Sequence, residues 1–115
     1  MVSVNGMNVF ISGPMSGKPD WNRKAFADAE KRLEELGARL IYNPAAGAPK
    51  GEDAHGHEYW MRKALRELTA SRNGDAPRYD YLVQLDGHLF SRGARLEARV
   101  APACGIEVVP FSAVG

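Results

Sequence analysis

Tyr81-Leu82-Val83-Gln84-Leu85, followed through Asp86-Gly87-His88 by Ser91-Arg92-Gly93-Ala94-Arg95-Leu96-Glu97, decides the fold. The apolar run predicts a strand over Tyr79 to Leu85, and the second group predicts a helix from about Gly93 that carries a carboxylate in its first two turns. A strand that turns through glycine into a helix is the repeating unit of an open α/β sheet, which places its chemistry at the carboxyl ends of its strands. Toward the N-terminus a second unit of this kind appears, with Val9-Phe10-Ile11-Ser12 leading into Gly13-Pro14-Met15-Ser16-Gly17. The two turns are expected to share one cleft. Backbone N–H groups and hydroxyls would then face an anionic ligand, and one carboxylate would be available to attack or to shuttle a proton.

The intervening segments fill in the pattern. A helix is expected from about Trp21 to Leu36, with Asp20 as its N-cap, Phe26, Ala29, Leu33 and Leu36 on its apolar face, and Gly37 as its stop. Arg39 to Tyr42 reads as the second strand, ended by Asn43-Pro44, and Ala45 to Gly56 as a mobile loop or lid. Met61, Ala64, Leu65 and Leu68 mark a helix from about Glu58 to Ala70, which the segment Ser71 to Arg78 breaks. In the helix ending near Ala103, Leu96, Val100 and Ala103 are expected to face inward, with Pro102 weakening the last turn. Ile106 to Val109 is the final strand. The order βαβαβαβ predicts an α/β fold with a mainly parallel sheet of four to five strands and helices on both sides.

Composition narrows the function. At 115 residues the chain is expected to form one domain, 1–115, with a core that needs no disulfide. A net charge of +1, with 15 basic and 14 acidic residues spread along the chain, argues against a general grip on nucleic acid. Cys104 is the single cysteine, so internal disulfides and cysteine zinc clusters are excluded; it is expected to be buried. No stretch approaches the ~20 apolar residues that span a bilayer, and Met1 to Asn8 lacks the plan of a secretory signal. The expected setting is the cytoplasm, with no membrane partner.

Glu97 is the candidate for chemistry, because burial beside a ligand turn would tune its carboxyl. Ser91, Arg92 and Gly93 offer a hydroxyl, a positive charge and close backbone approach; Ser91 equally reads as a simple helix cap. Gly13 to Gly17 matches neither the Walker loop nor the dinucleotide fingerprint, and alone it is a turn. His55, His57, Glu52, Asp53 and Glu58 have no zinc spacing, so no metal and no cofactor is expected. His88 reads as a loop or pocket-wall residue. Trp21, Tyr59 and Trp60 read as packing residues, with stacking on a nucleobase open to one of them.

Taken together, Phe10-Ile11-Ser12-Gly13-Pro14-Met15-Ser16-Gly17, Asp20-Trp21-Asn22 with Phe26, Asn43-Pro44, Tyr59-Trp60-Met61-Arg62 and Ser91 to Glu97 resemble an uncharacterised bacterial and phage family. That family is grouped with the nucleoside 2-deoxyribosyltransferases. The resemblance runs from about Val9 to Val109. It implies a single-domain flavodoxin-like three-layer sandwich, a nucleoside or nucleotide ligand, and Glu97 as a nucleophile that forms a covalent glycosyl intermediate. It further implies that Gly13, Pro14, Met15, Ser16, Gly17, Asn22, Ser91, Arg92 and Gly93 bind substrate, and that the chain assembles as a homodimer or larger homo-oligomer.

Three departures from the family pattern bear on that implication. Phe10 stands where relatives carry a first-strand tyrosine. Ala64 stands where many carry an aspartate, a candidate proton donor, which moves that task to Asp86, His57 or water. Ser91 replaces the aspartate of the classical transferases, as in nucleotide N-hydrolase relatives. A hydroxyl there donates to a phosphate that a carboxylate would repel, which favours a deoxynucleoside 5-prime-monophosphate. The competing expectation is a nucleotide-binding sensor or regulatory module without chemistry.

Overall fold

A computed structural model describes residues 1–48 and 55–115. Four parallel strands form the central sheet: β1 (Asn8–Ser12), β2 (Leu40–Tyr42), β5 (Tyr81–Gln84) and β6 (Glu107–Pro110), in spatial order β2-β1-β5-β6. Between β2 and β5 a small antiparallel hairpin, β3 (Ser71–Arg72) with β4 (Ala76–Pro77), occupies the segment expected only to break the preceding helix. Helices α1 (Arg23–Glu35), α2 (His57–Leu68) and α3 (Arg92–Ala103) provide the crossovers. Among the described residues no helix is long and apolar enough to cross a membrane.

Alternation along β1 sorts the core into two layers. Val9 and Ile11 join Phe26, Ala29 and Leu33 of α1 on one face of the sheet, while Phe10 joins Leu68 of α2, Ala101 of α3, Tyr79, Leu82 and Ile106 on the other. All five residues of β1 are buried, as a strand covered on both faces requires. The result is a flavodoxin-like three-layer sandwich with a parallel sheet. In strand order, the chain reverses direction of progress between β1 and β5, so the crevice for a ligand falls at their carboxyl ends.

Several local details differ from the sequence reading. The first helix starts later than Trp21, because Pro19–Asn22 forms a tight turn in which Asp20, Trp21 and Asn22 have φ of 49°, 57° and 60°. Asp20 is therefore no N-cap. Asn22 takes that position without a side-chain cap, and Asp20 instead pairs with Arg23 at 3.0 Å. At the other end Gly37 closes α1 as expected, its φ of 90° letting Ala38 N–H reach Leu33 C=O at 3.0 Å. Pro102 does not shorten α3. The same closure by Gly105, with Ile106 N–H donating to Ala101 C=O at 2.9 Å, holds the last turn together.

Leu96 was expected to face inward but is 41% exposed, and Ala103 is exposed too. The buried stripe of α3 is Ala94, Glu97 and Ala101, rotated from the one that apolar residues alone would select. Two small alanines bring the helix close to the sheet and carry the glutamate in with them. Cys104 is exposed rather than buried, since it lies beyond the end of that stripe at the C-cap. The expected lid over Ala45 to Gly56 begins as a one-turn helix, Pro44–Gly47, and Glu52 and Asp53 lie outside the described residues.

Polar contacts close the amino-terminal edge of the sheet. Asp80 accepts from Asn8 N–H at 2.8 Å and from Arg72 at 3.1 Å, and Glu67 accepts from the Tyr79 hydroxyl and from Arg78. The carboxyl edge is built differently.

Candidate functional site

Ser12 ends β1 on the same face as Phe10, pointing toward the α2 and α3 layer. Its hydroxyl donates to Glu97 Oε1 at 2.6 Å, a buried bond between residues 85 positions apart. Glu97 is 8% exposed. Burial pushes its carboxyl from the ordinary 4.5 up to about 7, and the Ser12 hydroxyl pulls it back in part.

The second carboxylate oxygen accepts no protein hydrogen bond. Among the described residues every fully buried side-chain polar atom has a partner, so this oxygen keeps contact with the space beside it. That space is a cavity of about 520 Å3 to which Glu97 contributes. The volume is that of a small-molecule site.

The cavity wall has three parts. Gly13, Met15 and Ser16 come from the loop after β1, with Trp21 from the left-handed turn. Gly13 must lack a side chain, because a Cβ there would stand 2.9 Å from Leu85 Cβ. Asn22 holds the loop, donating from Nδ2 to Pro14 C=O at 2.9 Å. The second part runs from Tyr42 through Ala48. Asn43 fixes it by accepting from Ala45 N–H and donating to Glu30, both at 2.9 Å, and Arg23 anchors it through the Ala45 and Ala48 carbonyls.

The third part is one flank of α2, which includes Trp60, Met61, Lys63 and Ala64, and the start of α3. His57 opens α2, and Ser91, Arg92, Gly93 and Ala94 open α3. Ser91 caps α3, its oxygen accepting from Ala94 N–H at 3.1 Å while its proton remains for donation. The first-turn amides of Arg92 and Gly93 have no acceptor within the helix. The N-terminus of α3 at the cavity favours negative charge in it.

The predicted residues thus divide. Gly13, Met15, Ser16, His57, Ser91, Arg92, Gly93 and Glu97 all line the cavity. Pro14, Gly17 and Asn22 belong to the loop behind it and do not line it. Asp86 is exposed and stands apart from it. His88 faces Leu85 C=O through Nδ1 at 3.0 Å. The sequence reading missed Ser12 as the partner of Glu97, and it missed Tyr42, Lys63 and Phe90 in the wall. The strand-end polarity of Ser12, after three apolar residues, was the available signal for the first.

Among the described residues no cluster of His, Cys, Asp or Glu is grouped to hold a metal ion. Comparison with known families then places the sequence. Residues 7–110 match a family described as a domain of unknown function, DUF4406. The chain belongs to the DUF4406 family. Neither the curated proteins nor the solved structures contain a match. The DUF4406 match takes in β1 through β6, so it covers every element that builds the cavity.

Proposed function

We propose that this DUF4406 protein cleaves or exchanges the N-glycosidic bond of a deoxynucleoside 5-prime-monophosphate. The free oxygen of a buried glutamate, opening into a cavity at the switch point of the sheet, is the observation that carries the reading. The motif resemblance to the nucleoside 2-deoxyribosyltransferases supports it. In this reading Glu97 Oε2 attacks the anomeric carbon, the carbon–nitrogen bond breaks, and its electron pair leaves with the base. Water or a second base then displaces the carboxylate at the same carbon, so configuration is retained. A 2-deoxy sugar eases both steps, because no electronegative 2-hydroxyl opposes the developing cation.

Ser91, Ser16 and the first-turn amides of α3 would hold the phosphate, with Arg92 adding charge. His57 is the cavity's imidazole, and with Ala64 in the wall it is better placed than exposed Asp86 to protonate the departing base. Trp21, Trp60 and Phe90 would face the base. The reading includes assembly into a homodimer or larger homo-oligomer, which light scattering tests.

The test is incubation of purified protein with each deoxynucleoside monophosphate, with free base read by chromatography. Base release is expected from the wild type, and a loss of at least about 100-fold from Glu97→Gln. Equal rates in the two would remove Glu97 as nucleophile. Phe10 and Ala64, neither of which offers a polar group to the site, favour one second reading: a nucleotide sensor that binds without turnover. Nucleotides that raise the melting temperature and are recovered intact would select it.

A further inference from the structure

The ionised form of Glu97, which the proposed attack requires, meets a shortage of donors. A buried carboxylate needs more than one hydrogen bond to hold its charge, and Ser12 supplies one. Each element around the carboxylate can be searched for another. From α2 and α3 come His57, Lys63 and Arg92, all exposed cavity-lining side chains, and Ser91 at the α3 cap. From β2 comes Tyr42.

Tyr42 differs from the others in being held. It pairs with Phe10 in the sheet register, which puts the two rings on one face, and they stack with centroids 4.9 Å apart. Tyr79 packs against both rings. The phenolic oxygen has no protein hydrogen-bond partner, yet no buried polar side-chain atom among the described residues lacks one. The oxygen of half-buried Tyr42 is therefore not sealed in, and Tyr42 lines the same cavity as Glu97. Burial first, then the charges of Glu67 and Glu97, raise the Tyr42 phenol above its ordinary range, which keeps it a neutral donor.

We propose that Tyr42 is a positioning residue for Glu97, its phenol donating to the carboxylate as the charge forms and fixing the direction of the attacking oxygen. The proposal rests on the glycosyl-transfer reading for its purpose but not for its test. A phenol stacked on a buried ring has little freedom left to lose, so the bond forms without much ordering cost. Among the described residues Ser12 is the one hydrogen-bond partner of the carboxylate, and the Tyr42 bond forms as the carboxyl ionises, with or without a ligand in the cavity.

Tyr42→Phe keeps the ring on Phe10 and removes only the hydroxyl. The Glu97 carboxyl is titrated by carbon NMR in the wild type and the variant, without substrate, and thermal denaturation confirms that both are folded. Loss of a donor to the charged form is expected to raise the Glu97 pKa by about one unit. His57, Lys63 and Arg92 remain in both proteins and cancel in the comparison. An unchanged or lowered pKa overturns the proposal. Absence of base release from the wild type, with the titration shifted as expected, overturns the glycosyl-transfer reading and leaves the Tyr42–Glu97 relationship standing.

Discussion

The Ser12 hydroxyl meets the Glu97 carboxylate at 2.6 Å beneath the cavity, joining the end of the first strand to the helix that follows the third strand of the parallel sheet. Ser12 is the side chain whose hydrogen bond favours the charged form of Glu97, against a burial that disfavours it. Ser12→Ala is expected to raise the Glu97 pKa above about 7. In assays of base release the acidic limb of kcat/KM would move to higher pH, with activity recovering in alkaline buffer. A loss of rate with an unmoved limb would assign Ser12 to packing instead.

The same carboxyl links stability to pH. Its folded pKa of about 7 lies above the ordinary 4.5, so between these values the native state holds a proton that the unfolded chain has released. Stability from this group is fully present below about pH 4.5 and is lost as pH rises through about 7. The loss amounts to about 3 kcal/mol. Glu97→Gln removes the titration, so urea denaturation should find the variant more stable than wild type at pH 8, with the difference closing toward pH 5.

Gly13→Ala tests how closely the first loop passes Leu85, the residue that follows β5. The new methyl would stand 2.9 Å from Leu85 Cβ, inside contact distance of a buried residue. A destabilisation of about 1–3 kcal/mol is expected in denaturant titration. Gly17→Ala is no control for this contact, because its φ of 81° penalises any side chain.

The left-handed turn is tested by a pair of variants. Asn22→Gly loses the bond to Pro14 C=O but relieves a positive φ, whereas Asn22→Ala loses the bond and retains the strain. The alanine protein is expected to be less stable than the glycine protein by about 1 kcal/mol. Equal stabilities would mean that the backbone relaxes out of this conformation.

Apolar periodicity made the order of strands and helices readable, because Val9–Ile11 and Leu82–Val83 are short runs covered on both faces. The glycine turns and Glu97 were readable as a group for the same reason. What periodicity hid was the rotation of α3, since it weighs Leu96 above Ala94 and has no means of preferring a glutamate for the inner stripe. Tyr42 was hidden by distance: its role depends on the pairing of Phe10 with a residue 32 positions on, a register set by the fold rather than by either segment. The hairpin over Ser71 to Pro77 was too short to give a strand signal.

The bare α-carbon of Gly93 sits under Met61, close enough that a methyl group there would come within 3.1 Å of the sulfur. The thioether is the movable end of an unbranched side chain, so an alanine at position 93 would be accommodated by Met61 giving way a few tenths of an ångström. Both residues line the chamber, so a longer side chain at this point would occupy room that a bound molecule would otherwise fill.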